Sequence, residues 1–288
     1  MMRNIRIFFK EIHLALLYLS RIKEWRKPDI PFGVNKGKKA MVFGNAPSLK
    51  LLIDKYHKKE IEISTDAFFV NYSPLDDFFY EVRPNHLFLS DECFYLENSR
   101  NRQMYNNLQS RVDWELTIYI TRHFKKDCKR LVDFMGVTNS NIHFRYLYKR
   151  SCDDFETTLR NRLFKTGYFM PTESTVVNTA LWIAILEGYC EVELYGIDTD
   201  QYKSLEVGED NNLYVVEHHF NEPDVRHPIV SDTLYRPLKL HEMLNVYAGM
   251  LKSYCLLGQF AEYMGVKVYN CSPGSAVDAF ERKNTLRV

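Results

Sequence analysis

Three short stretches carry residues suited to gripping a charged, hydroxyl-rich ligand. The first, Gly44-Asn45-Ala46-Pro47-Ser48-Leu49, follows an apolar run and precedes helical spacing. Gly44 permits a tight turn and close backbone approach, Pro47 fits a first helical turn, and Ser48 can cap. The free amides of a helix start attract phosphate. A plain structural turn has the same composition. Neither GxxxxGK[ST] nor GxGxxG is present, which excludes a P-loop and disfavours a standard dinucleotide fold. The second stretch, Gly196-Ile197-Asp198-Thr199-Asp200, brings two carboxylates close together. They fit an oxygen-ligated divalent cation; equally, Asp198 caps a turn or holds a ribose hydroxyl. The third feature is histidine. His218, His219 and His227 share a polar loop with Glu217 and Glu222, open to a metal cluster or to plain exposed loop histidines. His241 opens a long helix, whose positive end favours a neutral, base-competent imidazole. A surface histidine is the alternative.

Such residues need a scaffold. Ala40–Phe43, Ala67–Val70, His86–Leu89, Leu116–Ile120, Ile142–Phe144, Val192–Tyr195 and Lys267–Tyr269 are short apolar runs that read as buried strands. Helical spacing fills Ser48–His57, Ser174–Glu187 (capped by Thr172 or Ser174, closed by Gly188) and Leu240–Met264. This alternation predicts an α/β fold: a mostly parallel, doubly wound, Rossmann-like sheet with helices on both faces. Ligands of such sheets bind outside the carboxyl ends of the strands. That rule gathers Gly44, Asn45, Asn71, Ser90, Asp91, Gly196, Asp198 and Ser272 at one rim. Residues 199–237 are polar and read as a mobile lid.

The chain of 288 residues is 45% hydrophobic and 26% charged, with room for a large core and no disordered composition. Its net charge of +1 argues against nucleic acid as a partner. The six cysteines never form CxxC, so neither a zinc site nor a disulfide framework is expected, and a cytoplasmic setting fits. Residues 1–38 read as an amphipathic basic helix and a linker, and 39–288 as the catalytic domain. In residues 1–27, Ile5, Phe8, Phe9, Ile12, Leu16 and Leu19 recur at helical spacing among seven basic residues. That helix packs on the body or a second subunit, or lies on the cytoplasmic membrane face.

In their order, MVFGNAPSL (41–49), FFVNYS (68–73), LWIAILEGYCEVELYGID (181–198) and VKVYNCSPGS (266–275) resemble glycosyltransferase family 42, the bacterial lipooligosaccharide sialyltransferases. The same blocks resemble a broader surface-polysaccharide group that includes 6-hydroxymethylpterin diphosphokinase-like proteins. The family 42 resemblance implies a variant of the glycosyltransferase A fold and a CMP-sugar held by Asn45, Asn71 and Ser90 or Asp91. It also implies nucleotide contacts from Thr172, Ser174 and Thr175 and from Ser272 or Ser275. Tyr202 and Tyr214 match two tyrosines that steady the departing phosphate, and no metal is required. Glu173 stands where that family has an arginine. The family's catalytic histidine has its counterpart in His241, about two helical turns out of register, with His218 or His219 as alternatives. The expected activity is inverting transfer of a sialic, nonulosonic or Kdo-like sugar from CMP to a saccharide or glycolipid acceptor. The alternatives are a UDP- or GDP-sugar transferase, an ATP- and magnesium-dependent pyrophosphokinase, and a non-catalytic binding module.

Overall fold

The computed structural model describes residues 28–64, 66–217, 225–231 and 236–286. The stretch read as an N-terminal helix, with His218 and His219, lies outside them.

Eight strands form one wholly parallel sheet. In chain order they include β1 (Lys39–Phe43), β2 (Ala67–Val70), β3 (His86–Leu89), β4 (Leu116–Thr121) and β5 (Ile142–Leu147). After the short pair β6 (Arg150–Ser151) and β7 (Phe169–Met170) come β8 (Glu191–Tyr195), the lid strands, β14 (Lys267–Asn270) and β15 (Glu281–Arg282). The spatial order is β15-β14-β8-β1-β2-β3-β4-β5. β2 and β3 are buried at every position, as expected for strands covered on both faces. The winding reverses between β1 and β8, which pair in register from Lys39↔Glu191 to Phe43↔Tyr195. The switch point therefore falls at Gly44 and Gly196.

The helices are α1 (Leu49–His57), α2 (Asp77–Val82), α3 (Ser99–Arg111), α4 (Lys125–Met135), α5 (Thr157–Phe164), α6 (Val176–Glu187) and α7 (Leu240–Met264). All twelve residues of α6 are buried, so it is the spine of one core layer, with Trp182 fully enclosed. A helix this apolar on nearly every face belongs within a core. Its cap is Thr175, in extended backbone, and not Thr172 or Ser174. Phe43, Phe69, Phe78 and Tyr105 belong to the core on the other face.

Two stretches differ from their reading. Residues 28–38, read as a linker, are pinned to the body: Gly33 and Asn35 amides donate to the carbonyls of Leu186 and Glu187. The lid contains β9 (Leu205–Val207), β10 (Leu213–Glu217) and β11 (Val225–Pro228) as an antiparallel ribbon, and the small pair β12 (Val230–Ser231) and β13 (Arg236–Pro237). No described helix is long and apolar enough to cross a membrane.

Candidate functional site

A cleft of about 490 Å³ opens at the switch point. Its walls are Gly44–Pro47 after β1, Asn71 after β2, Asp91 after β3, Gly196–Thr199 after β8, and Thr175–Val177 at the start of α6. Met243, Tyr247, Met250 and Tyr254 of α7 close the far side. The volume is that of an ordinary small-ligand site.

The two glycines of the switch point serve each other. A Cβ on Gly44 would stand 2.2 Å from the carbonyl oxygen of Gly196, and one on Gly196 2.9 Å from that of Gly44. Gly196 also has φ +65°. Close passage of two backbones, more than approach to a ligand, demands glycine here. Ala46 N–H donates to Gly196 O at 3.0 Å, and Ser48 N–H donates to Asp198 Oδ2 at 3.0 Å. The Ser48 hydroxyl donates to the other carboxylate oxygen. Asp198 thus occupies the anion position at the start of α1 where the sequence suggested a phosphate. Ser48 is thereby turned from an expected ligand contact into a partner of Asp198, for which the turn-capping alternative holds. Ser48 lies behind the cleft, and Asp198 is a brace between loops that are 150 residues apart.

Ser272 and Ser275 are also braces. Ser272 Oγ accepts from Ile197 N–H at 3.0 Å, and Ser275 Oγ donates to Ile197 O at 2.7 Å. They hold the 196–198 corner from outside, beside a further cavity of about 340 Å³. There the Arg282 guanidinium donates to the carbonyls of Ser272, Ser275 and Val277.

The α6 start faces the cleft. Thr175 N–H and hydroxyl both donate to Asn178 Oδ1, and the Thr175 and Tyr254 hydroxyls meet at 3.1 Å. Val176 and Val177, as the first helical residues, have amides with no intrahelical acceptor. They line the cleft. Thr172, exposed, donates its amide to Asp153 Oδ1; Ser174 bonds back to Thr172 O. Neither lines the cleft.

Strain and unmet bonding gather here. Asn71 has φ 57°, and its buried Oδ1 has no partner among the described residues. Thr199 has φ 51°, a conformation a β-branched residue adopts only under constraint. It sits 7% exposed on the opposite wall. Asn45 is exposed at the mouth, and Ser90 is buried, its carbonyl accepting from the Thr121 hydroxyl.

Among the titratable groups, Asp91 is raised above the usual carboxylate range. Partial enclosure is the larger cause and Glu173 adds to it, while Lys149 opposes. Lys149, not singled out from sequence, is ion-paired with Glu173, which also accepts from Thr179. Burial pushes the Lys149 amine down. Tyr254 is pushed up to about 12 by burial.

His241 is placed unfavourably. It is the second residue of α7, exposed, and Met243 faces the cleft. Two residues turn a helix by about 200°, so His241 points away from the lined face. Tyr214 donates its hydroxyl to Asp210 at 2.8 Å within the lid. Tyr202 packs edge-on to Tyr247 with ring centroids 6.1 Å apart, and so reaches the site through that neighbour. Asp200 pairs with Lys203. His227 lies exposed on β11, and among the described residues no three His, Cys, Asp or Glu side chains cluster as metal ligands would.

Thr199, Tyr247 and Tyr254 were likewise not singled out from sequence. The stripe 243, 247, 250, 254 has helical spacing, but nothing local separates a cleft-facing stripe from a core-facing one.

No protein-family model matches the chain, and no curated protein matches it. Among solved structures it is similar to the MAf glycosyltransferase from Magnetospirillum magneticum AMB-1. That match has 13% identity and a TM-score of 0.46, and it covers 92% of this chain and 36% of that one. The chain thus spans little more than a third of the length of that protein.

Proposed function

We propose that this chain is a glycosyltransferase that takes a nonulosonic-type sugar from a CMP donor and passes it, with inversion, to a saccharide or glycolipid acceptor. The observation that carries the reading is the cleft itself. A helix start, an unpartnered asparagine oxygen and a carboxyl of raised proton affinity converge at the carboxyl rim of the sheet. The motif resemblance supplies the donor class.

In this reading the phosphate of the donor rests on the Val176 and Val177 amides and the Thr175 hydroxyl, where charge growing on the leaving group is stabilised. Asn71 Oδ1 accepts from a donor group of the nucleoside, and Asn45 closes the mouth. Asp91 takes the acceptor hydroxyl proton as the new bond forms; its raised affinity brings it closer to the range useful to a general base. It replaces His241 in that role because it lines the cleft and His241 does not. Asp198, with both oxygens on Ser48, is spoken for.

Isothermal titration tests the reading. CMP binds native protein with or without magnesium, and Asn71→Ala weakens binding. If ATP with magnesium binds and CMP does not, the pyrophosphokinase reading replaces this one. Association with the cytoplasmic membrane face through residues 1–27, and homo-oligomer formation, belong to the same proposal. Deleting 1–27 should preserve turnover on a soluble acceptor while lowering retention on anionic vesicles.

A further inference from the structure

Everything assigned to the donor lies on the β1, β2, β8 and α6 side of Asp91. The carboxyl rim continues the other way, onto the ends of β4 and β5. Adjacent strands are about 4.8 Å apart, so the first residues after β4 stand one strand beyond Asp91. The Thr121 hydroxyl, donating to Ser90 O at 3.3 Å, ties the two strand ends together.

Past Thr121 the chain runs Arg122-His123-Phe124-Lys125-Lys126-Asp127-Cys128-Lys129-Arg130. This segment is strongly cationic, and its one acid, Asp127, pairs with Arg130 at 3.7 Å. Lys125 and Lys126 sit in the first turn of α4, whose start has no side-chain cap. Cations at the positive end of a helix repel it. No described carboxylate lies within ion-pair distance of Arg122, Lys125 or Lys126, whereas Lys149, at the next strand end, is matched with Glu173. The unmatched cations are nonetheless positioned. The Arg122 guanidinium lies 4.8 Å from the ring centre of Tyr148, and the Lys125 ammonium 4.5 Å from that of Tyr146. A guanidinium fork and two ammonium groups form a donor set that a tetrahedral oxyanion satisfies.

We infer that Arg122, Lys125 and Lys126, side by side where the chain leaves β4, form a phosphate subsite, and that the acceptor carries its phosphate there while its hydroxyl meets Asp91. The word acceptor rests on the function proposed above; the anion site stands on the rim alone. The phosphate belongs either to a soluble sugar phosphate or to a lipid headgroup, and both present the same group to these cations.

The test uses full-length protein with two probes, glucose 1-phosphate and phosphatidylglycerol vesicles set against neutral phosphatidylcholine. CMP titration runs alongside. The variants are Arg122→Gln and, to leave the Arg122–Tyr148 stacking intact, Lys125→Glu with Lys126→Glu. The expected result is at least a tenfold loss of affinity for one or both probes in each variant, with CMP affinity unchanged. Response to glucose 1-phosphate assigns a soluble source, and response to vesicles alone a lipid. Because residues 1–27 are themselves basic, vesicle binding counts only as the difference between native and variant. Equal probe binding by native and variant proteins, or none by native protein, overturns the subsite whether or not CMP binds. Probe binding that is lost in the variants of a protein blind to CMP upholds the subsite and sinks the donor reading instead.

Discussion

The two edges of the sheet handle buried polarity in opposite ways. At the carboxyl edge, Asn71 and Thr199 hold left-handed backbone, and Asn71 Oδ1 waits without a partner. At the amino edge, the buried carboxylate is fully engaged by its neighbours. Glu187, 1% exposed at the end of α6, accepts from the Tyr119 hydroxyl at 2.6 Å and from the Asn35 amide at 3.1 Å. His86 Nε2 stands 3.5 Å from it, and Tyr189 donates to Asp66 at 3.0 Å. His86 Nδ1 is unpartnered, but it borders a polar cavity of about 350 Å³ in which a water can serve it. Closed networks of this kind specify packing. The difference separates a region organised to hold the chain from one organised to hold something else.

The largest effect expected at the carboxyl edge is on turnover. Asp91→Asn should lower the transfer rate by roughly 10²–10⁴, the usual worth of a general base, with the CMP dissociation constant unchanged. His241→Ala should leave the rate near native. If the two variants exchanged these results, the base would be the histidine and the helix face would have been misjudged.

At the amino edge the effect falls on stability. Burial raises the Glu187 carboxyl to about 7, helped by Asp66 and opposed by Tyr119, Arg145 and Asn35. Burial, with Arg145, lowers His86 to about 3. The two shifts oppose each other. The raised acid contributes stability present below its unfolded value of about 4.5 and lost as pH rises towards 7. The depressed imidazole contributes stability present above about 6.5 and lost as pH falls towards 3. Between about 4.5 and 6.5 folded and unfolded chains carry the same number of protons on the pair, so its net contribution is flat. Glu187→Gln removes one side of the balance. Relative to native protein, the variant should lose roughly 3 kcal/mol as pH falls from about 6.5 to about 4.5. Urea unfolding at the two pH values measures it; parallel losses in both proteins would mean that the two groups do not offset each other.

Asn71→Ala should weaken CMP binding by about 1–3 kcal/mol if the orphaned oxygen is completed by ligand. Its stability should fall by no more than about 1 kcal/mol, the cost of alanine in backbone that asparagine tolerates better, because no bond within the protein is removed. A large loss of stability with unchanged affinity would put Asn71 with the amino-edge groups.

Much of this was legible beforehand, for reasons tied to particular residues. AFFV is apolar at every position and HLFL at all but His86, a pattern that a strand covered on both faces tolerates, so β2 and β3 could be bounded to the residue. The rim followed from the strand assignments and the rule that parallel sheets bind ligands at their carboxyl ends. What escaped was set by distant partners. Three hydroxyls in Thr172-Glu173-Ser174-Thr175 compete for the cap of α6, and the choice of Thr175 depends on Tyr254, far along the chain. Asp198 reads as a ligand until Ser48 is brought to it. His241 has the right neighbours in sequence, but which face of α7 meets the cleft is decided by packing against α6.

The smallest effect is the sharpest probe of strain. A residue with a Cβ in left-handed backbone loses on the order of 1 kcal/mol relative to glycine, more when β-branched. Lys59, with φ 60° just past α1, is an ordinary helix-end example remote from the cleft; Thr199 has the same backbone at its wall. Lys59→Gly should raise the melting temperature slightly, by relief worth up to about 1 kcal/mol less the entropy glycine brings; at Thr199 the same relief is offset by loss of a buried hydroxyl bonded to Tyr254, so Thr199→Gly should not gain stability. They should part company on binding. Lys59→Gly leaves CMP affinity where it was. Thr199→Gly lowers it, because the side chain that shares Tyr254 with Thr175 is gone and the corner after β8 is free to relax. A Thr199→Gly protein as tight for CMP as the native one would show that strain at this edge is incidental to ligand binding.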